Sequence, residues 1–386
     1  MGLRKERDSL RFLVISVSAG DGHNAIGRAL IEELNKRGHT TLMIDYHKGV
    51  SPLRQWFNND WYFWVLSNCP GFSHRTYERL KRRDTNKKPP RLSAYNFMFN
   101  SPKSIKLVEK TLADFKPDVV FSTHSYPAAL MSKWKKEGRI NCQCFYLVSD
   151  YVIHLYTELT TNNDYILTPC SDFHSTLEKL GYDKKQFLNI GIPVQTKFST
   201  ISDKKALRLK FGLNPELFTV LCLSGGAGYG RIDLIVKNLL TVQRPLQIIV
   251  VNGRNEKMKQ KIDNYLAKKK INSVLNLAYC NNIDELMGAS DLMLGKLGGV
   301  GVTEAFNKEL PLISVGQAPF QEYDNGLYLS EKKAIIKIDK VEEIPEVLTD
   351  LFDHPEKITA LKANIQKLRK PNATTDFADF LEGKKL

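Results

Sequence analysis

The sequence is poor in the features that mark secreted, membrane-spanning and metal-binding chains. Its six cysteines include no C-x-x-C pair, so buried thiols in a reducing compartment are a better interpretation than disulfides or zinc. No run of about 18 apolar residues, as a spanning helix needs, occurs anywhere. The stretch from Met1 to Arg11 is charged and lacks an apolar core, so no signal peptide is expected. These absences predict a cytoplasmic protein, or one on the inner face of a membrane.

Acidic residues are also scarce relative to basic ones. The 386 residues include 56 Lys and Arg against 42 Asp and Glu, which gives a formal charge of +14. This excess favours an anionic partner, such as a nucleic acid, a phosphorylated small molecule or an anionic membrane surface. The length and the 42% hydrophobic fraction are enough for about two or three globular domains with full cores.

The first half opens with a pattern typical of a strand, a helix and a second strand. Residues 11–17 form an apolar run, and a polar loop that ends in His23 follows. Apolar residues then keep helical spacing up to Gly38, and another strand is predicted over Thr40–Asp45. Such sheets bind ligands beyond the carboxyl ends of their strands. His23 is therefore either a general base near a cleft or a helix residue that faces water.

Further strands are predicted in this half over residues 117–124, 144–150 and 164–168. The first two end in the polar residues His124 and Asp150, and His154 follows Asp150 by four positions. A metal site at Asp150 and His154 lacks a third ligand with suitable spacing, so no metal is predicted.

A segment between these strands combines bulky aromatic side chains with basic ones. Phe57, Trp61 and Trp64 recur at helical spacing, so a helix here would carry an aromatic stripe. Residues 75–91 then contain eight basic residues against two acidic ones, and the basic ones include Arg79, Arg82 and Arg83. This combination suits peripheral membrane binding, in which rings enter the acyl boundary and cations meet anionic head groups. The alternative is an amphipathic core helix beside a solvated loop, and no nucleic-acid-binding module accompanies the basic run.

The second half contains a new α/β pattern after a polar, lysine-rich connection over residues 195–208. Its strands are predicted over residues 218–224, 246–251, 274–277, 290–294 and 311–315, with a helix over 283–289. The loop at 225–230 fits neither the dinucleotide fingerprint nor the P-loop, although it presents backbone amides to a phosphate.

A second glycine-rich loop follows the strand at 290–294. Glycines at 295, 298, 299 and 301 precede a helix that carries Thr303 and Glu304. Glycine lets the backbone approach a phosphate or a sugar closely, and a helix N-terminus points unpaired N–H groups at an anion. A tight strand-to-helix turn is the alternative interpretation.

The order of motifs in this half resembles the nucleotide-sugar domain of GT-B glycosyltransferases. The motifs are the loop at 225–230, Gly253-Arg254-Asn255, Gly298-Gly299 with Thr303-Glu304-Ala305, and Gln321-Glu322 followed by Asn325. Within that fold, the chain resembles glycosyltransferase family 28, in particular the branch of monogalactosyldiacylglycerol synthases and processive diacylglycerol glucosyltransferases.

Three segments of the first half are also similar to that branch. Residues 18–23 resemble its glycine-rich loop ending in histidine, Ser149-Asp150-Tyr151 with His154 resembles its Thr-Asp-Tyr/Phe motif, and residues 191–194 resemble the segment before its linker. The resemblance implies an α/β, GT-B fold with two Rossmann-like domains facing across a cleft. We expect an acceptor- and membrane-facing domain over 1–195, a UDP-sugar domain over 196–362, and a helical tail over 363–386 that returns to the first domain.

The resemblance also implies an activity and residue roles. The expected reaction is a metal-independent, inverting transfer of a hexosyl group from a UDP-sugar, which is a substrate and not a cofactor, to a lipid hydroxyl. His23 is the candidate base and Asp150 the alternative. Gly226 and Gly228 would hold the diphosphate, Arg254 would lie near the uracil or phosphate, and Glu304 would bind the ribose. The other donor-binding residues implied are Gly298, Gly299, Thr303, Gln321, Glu322 and Asn325.

Two positions depart from the family pattern. Leu297 stands where the family usually has proline, and Phe320 stands where a glycine commonly precedes Gln-Glu. Because Phe320 is close to the expected sugar pocket, glucose, galactose and N-acetylglucosamine all stay open as the donor sugar. The alternatives for function are transfer to a polyprenyl-linked or soluble acceptor, UDP-sugar epimerisation, and binding without catalysis.

Overall fold

The chain forms two compact units in the computed structural model. The structure describes residues 9–18, 21–49, 78, 79, 81, 101–225, 231–316 and 321–384. One unit comprises residues 1–195 and 372–386, and the other comprises residues 196–371. In the described part of the chain, no helix has both the length and the apolar character needed to cross a membrane.

The first unit is built on a six-stranded parallel sheet. Its strands are β1 (Arg11–Ser16), β2 (Thr40–Asp45), β3 (Val119–Ser122), β4 (Gln143–Leu147), β5 (Tyr165–Leu167) and β6 (Phe187–Leu188). They lie in the order β2-β1-β3-β4-β5-β6, and every neighbouring pair is parallel. Because both faces of such a sheet are covered, its strands are near-continuous apolar runs. The chain order reverses between β1 and β3, which is where such sheets bind ligands.

In the described residues, helices connect these strands. They are α1 (Gly22–Lys36), α2 (Pro102–Phe115), α3 (Ser125–Lys136) and α4 (His174–Lys179). Helix α1 ends as predicted, because Gly38 takes a left-handed φ of 83° just beyond the cap at Arg37. The side chain of Ser101 accepts a hydrogen bond from the backbone of Ser104 and so caps the start of α2.

The second unit repeats the architecture with its own six-stranded parallel sheet. Its strands are β7 (Phe218–Leu223), β8 (Leu246–Val251), β9 (Val274–Leu277), β10 (Leu292–Gly295), β11 (Leu312–Val315) and β12 (Ile335–Ile338). They lie in the order β12-β11-β10-β7-β8-β9. The reversal therefore falls between β7 and β10, and the two predicted glycine-rich loops follow these two strands. Any anion held by both loops would lie at the switch point of this sheet.

Helices accompany this sheet in the described part of the second unit. They are α5 (Lys204–Lys210), α6 (Ile232–Leu239), α7 (Glu256–Lys269), α8 (Ile283–Ala289), α9 (Gly299–Asn307), α10 (Gln321–Glu331), α11 (Ile344–Asp353) and α12 (Glu356–Leu368). The stretch predicted as a connection over residues 195–208 begins where the two units divide, and its last part forms the start of helix α5. Asp203 caps that helix, and the buried guanidinium of Arg208 pairs with Asp291.

The last helix, α13 (Ala373–Leu381), belongs to the first unit. The ring of Phe377 is 0% exposed and lies 6.0 Å from that of Phe12, 5.1 Å from that of Phe121 and 5.3 Å from that of Phe145. The guanidinium of Arg37, the residue that caps the end of α1, donates to Asp379 Oδ1 on α13 at 2.6 Å. The chain thus leaves the first unit after residue 195 and returns at residue 372, while residues 363–371 lie in the second unit.

Candidate active site

Four histidines follow four neighbouring strands of the first unit. His23, His47, His124 and His154 come after β1, β2, β3 and β4, and we call them the histidine cluster. The His124 ring centre lies 4.9 Å from that of His23 and 6.4 Å from that of His154. The fourth member, His47, is connected to the others through Tyr126. The ring centre of Tyr126 lies 4.1 Å from that of His124 and 6.3 Å from that of His47. The carboxyl edge of this sheet is therefore lined with imidazoles.

His23, the predicted base, is held at the start of α1 by a main-chain group. Its Nδ1 lies 2.7 Å from the carbonyl oxygen of Thr123. A carbonyl only accepts hydrogen bonds, so Nδ1 carries the proton and Nε2 keeps its lone pair. The pKa of His23 is lowered to about 4, chiefly by burial and then by the neighbouring His154, while Asp150 and the Thr123 carbonyl act in the opposite direction. The imidazole is thus neutral near pH 7, with one nitrogen able to accept a proton.

His124 is also neutral and has the opposite tautomer. The backbone N–H of Tyr126 donates to His124 Nδ1 at 3.2 Å, which caps the start of α3 and leaves the proton of the neutral ring on Nε2. Burial, followed by the neighbouring His23 and His154, lowers the pKa of His124 well below its ordinary value. Burial likewise lowers the pKa of His47, against the opposing effect of Asp45. These three imidazoles are therefore uncharged at neutral pH.

Asp150, the alternative base, is paired with the fourth histidine. His154 Nε2 donates to Asp150 Oδ2 at 2.8 Å, and the His154 residue is only 6% exposed. The other ring nitrogen of His154 lies 3.5 Å from the hydroxyl of Tyr146, whose phenol has its pKa raised by burial and stays protonated. The carboxylate of Asp150 is consequently fixed in direction by a buried partner.

Asp45 has a structural role at the same edge. Its carboxylate accepts hydrogen bonds from the backbone N–H of His47 at 2.9 Å, from the backbone N–H of Ser18 at 3.2 Å and from the hydroxyl of Ser18. Asn24 Nδ2 on α1 donates to the same Ser18 hydroxyl at 3.3 Å. This network ties the end of β2 to the residue that opens the loop before His23.

In the second unit, the Gly298 loop meets the start of α10. Gly298 is the residue before the first turn of α9, and a Cβ built on it would lie 3.8 Å from Glu322 Oε1. Asn325, which is 0% exposed, donates from Nδ2 to the carbonyl of Leu297 at 2.7 Å. A Cβ on Gly326 would come within 2.7 Å of Leu297 Cδ1, so a larger residue there would require the Leu297 side chain to shift. The structure thus brings Gly298, Glu322 and Asn325 together.

Thr303 and Glu304 lie on α9 behind that loop. The Thr303 hydroxyl donates to the carbonyl of Gly299 at 2.8 Å and is buried. This places the hydroxyl against its own helix, where it supports the loop from inside. Glu304 is only partly buried, as is Gln321 at the start of α10.

Arg254 lies just beyond β8 and stacks on an aromatic ring. Its Cζ is 5.0 Å from the ring centre of Tyr279, which follows β9 and is 47% exposed. The strands β8 and β9 are neighbours, so both residues occupy the carboxyl edge of the sheet. Tyr279 was not predicted as a site residue from the sequence. Its position just after the predicted strand at 274–277 indicated that it would lie at the carboxyl edge of the sheet.

Several predicted site residues lie outside the described part of the chain. They are Phe57, Trp61, Trp64, Arg82, Arg83, Gly226 and Gly228. Arg79 and Lys81, the described basic residues of that segment, are both exposed in a short helical stretch. Over the described ranges, no group of three or more His, Cys, Asp or Glu residues is arranged to hold a metal ion. The five cysteines placed there are free thiols, and Cys144 and Cys222 are buried.

Both halves of the chain match family models. Residues 23–194 match the monogalactosyldiacylglycerol (MGDG) synthase family, and residues 230–379 match the glycosyltransferase family 28 C-terminal domain. A relative from Staphylococcus haemolyticus, named processive diacylglycerol beta-glucosyltransferase, is 25% identical over 380 residues, which are 96% of this chain and 93% of the relative. A protein of the same name from Staphylococcus aureus is 25% identical over 374 residues, 94% of this chain and 90% of its own length.

Solved structures share the fold at lower identity. UDP-GlcNAc 2-epimerase from Neisseria meningitidis has a TM-score of 0.61 at 17% identity and covers 97% of this chain and 100% of its own. MurG from Acinetobacter baumannii has a TM-score of 0.60 at 13% identity, covering 97% and 99%. Together with the two parallel six-stranded sheets, these neighbours confirm the predicted α/β, GT-B fold class.

Proposed function

We propose that this chain, which belongs to glycosyltransferase family 28, transfers a hexosyl group from a UDP-sugar to the hydroxyl of a lipid acceptor such as diacylglycerol. The observation that carries the proposal is the near full-length match to relatives named for that reaction, over 93% of one and 90% of another. The neutral His23, with a lone pair on Nε2, supplies the base that such a transfer needs.

The second unit would bind the donor at the switch point of its sheet. The N-terminus of α9, which begins directly after Gly298, offers backbone N–H groups and a positive helix-dipole end to the diphosphate. The residues Gly226 and Gly228, which follow β7 in the sequence, would also hold the diphosphate. Arg254 would contact the uracil or a phosphate, and Glu304 would accept hydrogen bonds from the ribose.

Glu322 and Gln321 would bind the hydroxyls of the sugar. The position of Glu322 beside Gly298 supports this role, because the sugar of a bound UDP-sugar adjoins the diphosphate. Asn325 and Thr303 would act indirectly, since their hydrogen bonds to Leu297 and Gly299 hold the loop and the helix in place.

The transfer is a single displacement that inverts the anomeric carbon. His23 Nε2 takes the proton of the acceptor hydroxyl while its oxygen bonds to the anomeric carbon and the bond to the UDP oxygen breaks. The leaving UDP carries away the electron pair, and its charge is stabilised by the backbone amides and the helix dipole of α9. With this stabilisation, the reaction needs no metal ion.

A lipid acceptor requires contact with a membrane, and we place the protein peripherally on the inner face of the cell membrane. The formal charge of +14 favours an anionic surface. The exposed Arg79 would contribute to this binding, together with Arg82, Arg83, Phe57, Trp61 and Trp64.

The test is an assay with purified protein and a panel of UDP-glucose, UDP-galactose and UDP-N-acetylglucosamine. Each donor is incubated alone, with vesicles that contain diacylglycerol, and with a polyprenyl phosphate. We expect a glycolipid only when diacylglycerol is present, and flotation of the protein with anionic vesicles but not with neutral ones. An epimer formed without acceptor, a product only on the polyprenyl lipid, or binding without turnover would each overturn the proposal.

A further inference from the structure

Two cysteine thiols lie side by side where strand β4 begins, at the edge of the sheet opposite to the histidine cluster. The Sγ atoms of Cys142 and Cys144 are 4.0 Å apart. Side chains two positions apart on an extended segment point to the same face, and both thiols pack in one core cluster. Cys144 is 0% exposed, whereas Cys142 is partly exposed. One thiol can therefore be reached from solvent, and the other is buried beside it.

A lysine brings positive charge to this pair. Lys135, on α3, donates from Nζ to the carbonyl oxygen of Cys142 at 3.2 Å and also pairs with Asp164. The Asp164 carboxylate in turn accepts a hydrogen bond from the backbone N–H of Cys144 at 2.7 Å. The ammonium group is thus held next to the two cysteines by bonds to the protein. A nearby ammonium group stabilises a thiolate, which is the reactive form of cysteine.

The two thiols differ in how easily they lose a proton. The Cys144 thiol donates to the carbonyl of Cys142 at 3.7 Å. A hydrogen bond from Cys144 lowers the pKa of Cys142; burial opposes this effect, and the Lys135 ammonium adds to it. The hydrogen bond between the thiols and burial raise the pKa of Cys144 well above its ordinary value. Cys142 is therefore the nucleophile of the pair, and Cys144 stays protonated until Cys142 has reacted.

The chain between the two cysteines is short enough for a disulfide. Two residues of extended chain span about 6.4–6.8 Å between Cα atoms, and disulfides form over Cα separations of about 4.4–6.8 Å. The sulfurs must approach each other from 4.0 Å to a bond length of about 2.05 Å. A disulfide that forms in a reducing compartment is usually transient and is catalytic or redox-sensing.

We propose that Cys142 and Cys144 are a reversible oxidation site that reacts with hydroperoxides. The Cys142 thiolate attacks one peroxide oxygen, the O–O bond breaks, and Cys142 becomes a sulfenic acid. The other oxygen leaves as hydroxide and takes up the proton that Cys142 had released. The sulfur of Cys144 then attacks that of Cys142, so that the S–S bond forms and the S–O bond breaks. The hydroxide that leaves takes the Cys144 proton and becomes water.

The two thiols together supply the two electrons that reduce the peroxide. Exchange with a small dithiol returns both cysteines to the reduced form. This site goes beyond the proposed function and does not depend on it, because neither a sugar donor nor a lipid takes part in the reaction.

The test treats the reduced full-length protein with one equivalent of hydrogen peroxide and examines peptides by mass spectrometry. Cleavage after Trp134 and Phe145 separates the pair from Cys170. We expect the peptide with Cys142 and Cys144 to lose two hydrogens and to regain them with dithiothreitol. Cys144→Ser should stop at the sulfenic acid, which dimedone traps on Cys142, and Cys142→Ser should leave Cys144 reduced. If no disulfide forms in the wild type, or if Cys144→Ser gives no dimedone adduct, the proposal fails.

Cys280 provides a comparison within the wild-type chain, so the test does not depend on any variant folding. It is partly exposed like Cys142, but burial raises its pKa. We expect peroxide to oxidise Cys142 about tenfold faster than Cys280 or more, since each pKa unit changes the thiolate fraction up to tenfold. Lys135→Gln should slow the oxidation of Cys142 several-fold, whereas Lys133→Gln, which removes an exposed partner of Glu137 on the same helix, should not. Equal rates at Cys142 and Cys280 would show that the pair is not a dedicated oxidation site.

Discussion

The side-chain amide of Asn325 donates to the main-chain carbonyl of Leu297 at 2.7 Å, and this buried bond ties helix α10 to the loop that precedes α9. Asn325→Ala should leave the carbonyl without this donor, at a cost of about 1–3 kcal/mol, and should weaken UDP-sugar binding because the loop shifts. Thermal unfolding and calorimetric titration with UDP measure both effects. Asn364→Ala removes an exposed bond to the carbonyl of Lys333 and should change neither; equal effects of the two variants would contradict the assignment.

Replacement of Glu304 should weaken UDP binding, whereas replacement of His23 should lower the turnover rate. Glu304→Ala removes the acceptor for the ribose hydroxyls and should raise the Kd for UDP about tenfold or more, since hydrogen bonds to charged groups contribute about 1.5–3 kcal/mol. His23→Ala should spare UDP binding and lower kcat by roughly 10²–10⁴, the usual contribution of a general base. Calorimetry and initial rates separate the two, and a similar loss of UDP affinity in both variants would refute the division of roles.

The first unit should become less stable as the pH falls below 6.5. The pKa of His23 is lowered from 6.5 to about 4, so between these values the unfolded chain binds more protons than the folded one. Stability is therefore complete above pH 6.5 and is lost as the pH falls towards 4. For His23 the loss between pH 7 and pH 5 is up to about 2 kcal/mol. His124 and His47 act in the same direction.

Hydrogen exchange of the amides in β1 and β3, measured at several pH values, reports this loss. In His23→Gln the pH dependence between pH 7 and pH 5 should become shallower. His354→Gln, which changes an exposed histidine of the second unit, should leave the exchange of β1 and β3 unaffected. A pH dependence that is identical in His23→Gln and the wild type would show that His23 does not contribute.

Arg37 should hold α13 on the first unit. Its guanidinium donates to Glu33 on α1 and to Asp379 and Glu382 at the far end of the chain. Because the pairs are only partly exposed and form a network, Arg37→Met should destabilise this contact by about 1–3 kcal/mol. Lys36→Met removes an exposed pair with Glu32 on the same helix and should cost under about 0.5 kcal/mol. The rate of proteolysis within residues 372–384 measures the difference in stability between the two variants. Equal cleavage rates would show that Arg37 does not hold α13 on the first unit.

Most of the sheet architecture was predictable because apolar runs dominate its strands. The predicted strands at Thr40–Asp45, 246–251 and 274–277 have the bounds found in the structure. The other predicted strands differ from the observed ones only at their ends. Strand β10, for example, begins at Leu292, because the Ser290 hydroxyl donates to the carbonyl of Leu286 on the preceding helix and Asp291 pairs with Arg208. Two strands were missed. The two-residue β6 is too short to give a pattern, and β12 (Ile335–Ile338) was passed over after the clear strand at 311–315.

The histidine cluster could be predicted only in part. The sequence marks His124, Asp150 and His154 as polar residues at strand ends, and His23 as a candidate base. Which strands are neighbours is not written in the local pattern, so the approach of His124 to both His23 and His154 needed the strand order. His47 was missed because its signal, one polar residue after Tyr46 at the end of β2, is no different from that of a surface loop.

The position of Phe377 has a consequence for how the protein is made. The ring completes the core of the first unit, yet a ribosome synthesises the whole of the second unit before it reaches this residue. Domains generally fold in the order of their synthesis. In this chain the core of the first unit stays incomplete until α13 has been synthesised, because Phe12, Phe121 and Phe145 pack against Phe377. A nascent chain stalled before residue 372 should therefore bind chaperones through this uncovered aromatic surface.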